Sequence, residues 1–152
     1  MGLWIAGLAI LGVGCDHSLD SIQGFELGEP TSAVFGFSNS REVMVVFSDM
    51  PDLCPLLWDT NPPPYDDYWV LSAWSLSAWR TDAAMSAYGY VAMADYGLEW
   101  DEDGRGSLEL STVEDDRLEG IVDLSFGQDE VRAHFDAWYC DAPLFQGLED
   151  PS

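Results

Sequence analysis

The sequence predicts an all-β fold, an antiparallel β-sandwich or a small open barrel, formed by a single domain that follows a signal peptide. Three observations predict it. The last third of the chain alternates apolar and polar residues with period two, the alternating runs are joined by short polar turns, and an apolar fraction of 47% with 13% aromatics suffices for a packed core. A chain of 152 residues has room for one such domain, because a domain near this size buries roughly 70% of its unfolded surface.

The elements follow in chain order. Met1 to Gly14 is uncharged and apolar, shorter than the roughly 20 residues a bilayer span requires, and reads as the apolar region of a signal peptide over residues 1–14. Cys15 follows at once. Residues 15–30 are polar with Gly and Pro and read as a tether. The β-rich domain is expected over 31–145, with an acidic tail at 146–152.

Ala33 to Phe37 and Glu42 to Phe47 are rich in Val and Phe and flank the turn-prone Ser38-Asn39-Ser40, the pattern of two paired strands. Met50 to Tyr65 holds Pro51, Pro55 and Pro62-Pro63-Pro64 and is expected as a loop carrying Cys54, because proline cannot donate to a sheet ladder. Tyr68 to Trp79 is read as a strand with Val70, Trp74, Leu76 and Ala78 on one face, although its length also permits a helix. Ala84 to Tyr96 is read as a further strand, with Gly89 as a bulge.

Three final strands are expected at Ser107 to Val113, Arg117 to Phe126 and Glu130 to Tyr139. In the second, Leu118, Val122, Leu124 and Phe126 oppose Glu119, Asp123 and Ser125. In the third, Val131, Ala133, Phe135, Ala137 and Tyr139 oppose Arg132, His134 and Asp136.

The small-residue run ending at Cys15 resembles the lipobox of bacterial lipoproteins, in which the cysteine is acylated and becomes the mature N-terminus. It departs from that pattern at Gly12, where leucine is usual, and in having no Lys or Arg before the apolar run. Cysteine arithmetic points the same way. If Cys15 carries lipid, Cys54 and Cys140 remain as a pair; the rival is an ordinary cleaved leader that leaves Cys15 free and the protein secreted. Asp16 leaves the choice of inner or outer membrane open.

Together with FSDMPDLC and GIVDLSFGQDEVRAHFDAWYC, the lipobox-like start resembles poorly characterised envelope lipoproteins of myxobacterial type. These end in a β-hairpin with a Phe-Asp/Thr-Ala-x-x-Cys signature. The resemblance implies an all-β fold and a Cys54–Cys140 disulfide, and implies no activity.

Charge narrows the partners. Against 28 acidic residues stand five arginines and no lysine, a net charge of −23. Nucleic acid is not an expected partner, because phosphate binding needs clustered cations, and a membrane is expected to be met through the N-terminal lipid rather than through headgroups. No nucleophile motif is present and no His or Cys pair has zinc-ligand spacing, so no catalytic residue and no cofactor is expected.

Asp101-Glu102-Asp103-Gly104 begins like a calcium loop, but Arg105 and Thr112 occupy its fifth and twelfth positions. The stretch is expected as a turn, with Asp101 and Asp103 the only metal candidates. Trp58, Tyr65 and Trp138 are the candidate binding residues, able to stack on a glycan or pack on a protein partner. The sequence therefore favours a lipid-anchored envelope protein with a structural or binding role and no enzymatic one. A carbohydrate- or calcium-binding module comes next, then an envelope hydrolase using a carboxylate pair.

Overall fold

The computed structural model describes residues 19–22, 25–28, 30–58, 68–95 and 98–146. The expected signal peptide, Cys15, Tyr65 and the tail beyond Gln146 lie outside them. A hairpin of β1 (Leu19–Ile22) and β2 (Phe25–Gly28) opens the described chain. β1 lies against the last strand, and Leu27 is buried in the main core. Within the stretch expected as a tether, Leu19–Ile22 and Phe25–Gly28 are thus strands; two four-residue strands are too short to display a period.

The remaining elements are β3 (Ser32–Phe37), β4 (Val43–Ser48), α1 (Leu53–Trp58), β5 (Tyr68–Ser75), β6 (Met85–Asp95), β7 (Leu98–Val113), β8 (Arg117–Phe126), β9 (Asp129–Tyr139) and α2 (Pro143–Gln146). Strands β3 to β9 are hydrogen-bonded in chain order and close into a ring. Every consecutive pair is antiparallel. An up-and-down ring with an odd number of strands must close on two strands that point the same way. The closing pair β3–β9 is accordingly parallel, and it is short, with only Val34↔Trp138 and Phe35↔Tyr139 in register.

Period two fills the ring. On β8, Leu118, Gly120, Val122, Leu124 and Phe126 are buried while the residues that alternate with them are half-buried or exposed. β9 buries Val131, Ala133, Phe135 and Ala137 and exposes Arg132, His134 and Asp136, as the alternation predicts. Tyr139 departs from it: at the strand's end it is 49% exposed, with its ring edge-on to Phe35 at 5.7 Å.

The strand expected over Tyr68 to Trp79 runs to Ser75. Trp69, Leu71 and Ala73 point into the ring, whereas Val70 and Trp74 pack on a second cluster outside it, and Leu76 and Ala78 lie exposed past the strand's end. The bulge expected at Gly89 is absent, because pairing continues unbroken from Ala73 through Gly89 to Gly104. A Cβ at Gly104 would lie 2.6 Å from the Phe126 ring, so the glycine makes room for an aromatic lid. The register shifts instead between Leu110 and Thr112.

The turn expected at Asp101 to Gly104 is also corrected. These residues lie within β7, where Asp101 pairs with Ala92 and Asp103 with Tyr90. Acidic and glycine residues that read as turn-formers are carried here by tyrosine-rich pairing on the neighbouring strand.

All six residues of β4 are buried. Val43, Val45 and Phe47 face the interior, while Met44 and Val46 face outward beneath a second cluster that includes Val34, Leu53, Cys140 and Phe145. The two short helices contribute Leu53 and Phe145 to this cluster. Within the segment expected as a loop, Leu53–Trp58 is helical, with Pro55 in the first turn, where the missing N–H has no intrahelical acceptor to lose. A Cβ at Gly36 would overlap the Phe145 ring, so the absence of a side chain lets α2 dock on β3. The Cys54–Cys140 disulfide joins α1 to the end of β9, with a Cα separation of 5.7 Å.

Candidate functional site

The seam between β3 and β9 is where the barrel is least closed. Only two residue pairs register across it, and two adjoining hollows are lined by residues of both strands. One, of about 190 Å³, lies between Pro30–Ala33 and His134–Asp136 over Phe47. The other, of about 430 Å³, extends from Thr31–Val34 to the Pro51–Pro55 segment on one side and to Asp136, Trp138 and Tyr139 on the other. Both are bordered by Thr31, Ser32, Ala33 and Asp136, so they form one groove.

Each wall has a local cause. Ser32 Oγ donates to the Met50 carbonyl at 2.7 Å, and the disulfide holds Cys54, so the turn before α1 is drawn against β3. Asp52 in that turn has φ of 55°, a left-handed conformation that aspartate tolerates better than most residues. On the far wall, Trp138 stands opposite Arg117 on β8 and Val34 on β3, so strand pairing fixes its backbone on both sides. Its side chain is nevertheless 57% exposed. Among the described residues the large apolar side chains this open are Leu76, Trp138 and Tyr139, and two of the three border the groove.

Asp136, two residues before Trp138 on the same face, accepts a forked pair of hydrogen bonds from Arg117, Nε to Oδ1 at 2.8 Å and Nη2 to Oδ2 at 2.6 Å. Arg117 also pairs with Glu119 at 2.5 Å. The guanidinium holds the Asp136 carboxyl below the usual carboxylate range against an opposing push from burial. A carboxyl held low stays ionised near neutrality and offers no proton as a general acid. The pair orients the Asp136 carboxylate, which borders the groove together with Trp138.

No known protein family, curated protein or solved structure matches this chain.

Of the candidate binding residues, Trp138 is at the groove. Trp58 ends α1, with a side chain outside the described set, and Tyr65 lies outside the described residues. Tyr139, Asp136, Arg117 and Asp52 were not singled out from sequence. Alternation assigns Tyr139 to the core; only the parallel seam, which sequence does not announce, places it at the rim.

Asp101 and Asp103 lie elsewhere, exposed on β7. The Tyr90 hydroxyl donates to Asp101 Oδ2 at 2.9 Å, and the Tyr88 hydroxyl donates to Asp103. The Asp103 hydrogen bond is the chief cause that raises the Tyr88 pKa, and burial is the chief cause for Tyr90. Among the described residues no group of three or more His, Cys, Asp or Glu side chains is placed to hold a metal ion.

Proposed function

We propose that the protein is a lipid-anchored component of the bacterial cell envelope with a binding, non-enzymatic role, and that the closed barrel is a rigid body presenting the seam groove to a partner. The observation that carries the binding role is the 57% exposure of Trp138 on a strand paired on both sides, beside a groove of about 430 Å³. An indole left in water on a rigid scaffold costs apolar burial that a partner recovers.

The envelope address rests on the apolar run before Cys15 and on the cysteine count. The Cys54–Cys140 bond fits an oxidising compartment. Mass spectrometry of the mature protein should find an acylated N-terminal Cys15, and Cys15→Ser should release the protein from membranes.

The binding role is tested by placing a photo-crosslinking amino acid at position 138, and at exposed Leu76 as a control, in intact cells. Adducts with an envelope component are expected from position 138 alone. Equal or absent adducts from the two positions would remove the proposal.

A further inference from the structure

Resting on that reading, we infer that the groove binds an uncharged oligosaccharide, stacked on Trp138 and hydrogen-bonded to Asp136, whose carboxylate Arg117 holds in place. An anion faces carboxylates on both sides, Asp52 and Asp136, within a chain of net charge −23. A purely apolar ligand would strip water from those carboxylates without replacing their hydrogen bonds. A cation is drawn by the same net charge, but both Asp136 oxygens are already forked by Arg117, which pairs with Glu119 as well, so Asp52 alone remains to hold it.

A sugar meets none of these objections. Its C–H face is apolar and matches an exposed indole, while its hydroxyls both donate and accept. The Asp136 carboxylate, which borders the groove, keeps acceptor capacity beyond its two arginine bonds. The groove volume of about 430 Å³ falls in the range of roughly 300–1,000 Å³ typical of small-molecule sites. A short glycan segment fits that space. The backbone on both sides of the indole is held by strand pairing, and the opposite wall by the disulfide, so little ordering remains to oppose binding.

The test is isothermal titration of the whole mature protein with cellohexaose, maltohexaose and chitohexaose. Polygalacturonate and chitosan hexamer serve as the anionic and cationic counterparts. At least one neutral hexasaccharide should bind saturably, and neither charged oligomer should compete with it. Trp138→Ala should weaken binding about 30-fold, the scale of an interface hot spot, Trp138→Phe should restore part of it, and Asp136→Asn should weaken it by about tenfold. Leu76→Ala, exposed but remote from the groove, should leave it unchanged.

Binding that survives Trp138→Ala, or no binding by any neutral hexasaccharide, overturns the inference. Failure of the binding role itself is separable. Crosslinks from position 138 to a protein, with no glycan bound, would sink the saccharide alone; the absence of both would sink the two together.

Discussion

Replacing both Cys54 and Cys140 by alanine should destabilise the domain by roughly 4 to 5 kcal/mol, because the bridge closes a loop with a sequence separation of 86 and a loop of that size loses this much closure entropy in the unfolded chain. Cys140 is 1% exposed within the outer cluster, so loss of its sulfur also thins the packing around Leu53 and Phe145. At a few degrees per kcal/mol for a domain of this length, the melting temperature should fall on the order of 10–20 °C. Urea and thermal unfolding followed by far-UV circular dichroism would measure it. The strand signal should persist in the folded variant, since the ring's antiparallel ladders do not involve the sulfurs, while α1 loses its tie to β9 and the groove its near wall. A loss below about 1 kcal/mol, or a variant without strand signal at low temperature, would refute the assignment of the bridge as a staple on a ring that closes by hydrogen bonding.

Phe126→Ala should cost about 3–5 kcal/mol in urea unfolding, since the ring is 1% exposed and packs over Gly89 and Gly104. Tyr88 and Tyr90 have pKa values raised in the folded state, the first chiefly by its hydrogen bond to Asp103 and the second chiefly by burial. Their contribution is complete below the unfolded tyrosine value of about 10 and declines as pH rises through the higher folded values. Unfolding midpoints between neutral and alkaline pH should therefore fall less steeply in Tyr88→Phe/Tyr90→Phe than in the parent. Asp136 behaves oppositely: its folded pKa is lowered by Arg117, so its contribution is present above the unfolded value and lost as pH falls through the folded one. Molar NaCl should raise the unfolding midpoint by screening repulsion in a chain of net charge −23, and a salt-independent midpoint would count against that source of strain.

Strands whose interior and exterior differ were legible in the sequence. The alternation of β8 and β9 held because one side is apolar core and the other is water, the condition under which period two carries information. β7 was read short because Asp101 to Gly104 carry residues poor in strand propensity, and their strand state is set by pairing with Tyr88 to Ala92. β4 lacks alternation because its outer face is roofed by helices that sequence shows only as a proline-bearing segment and a short run after Cys140. For the candidate site, Trp138 was legible as a large aromatic on the polar face of a strand. Its surroundings were not, because the β3 edge and Asp52 reach it only through the ring closure and the disulfide, and alternation assigns the adjacent Tyr139 to the core.

The seam links fold to site. Antiparallel ladders join β3 to β9 everywhere except at the closure, where an odd strand count forces a parallel pair, slightly weaker per residue and here only two residues long. A closure that thin invites reinforcement. The three residues that end β9 and follow it provide for this position in turn: Trp138 registers with Val34, Tyr139 sets its ring against Phe35, and Cys140 donates its N–H to the Phe35 carbonyl at 2.8 Å while its sulfur binds α1. The same reinforcement draws the Pro51–Pro55 segment over β3 and raises a wall opposite the indole. The groove thus follows from how an odd ring is closed. Substitutions that lengthened the β3–β9 pairing would be expected to strengthen the barrel and erase the groove together.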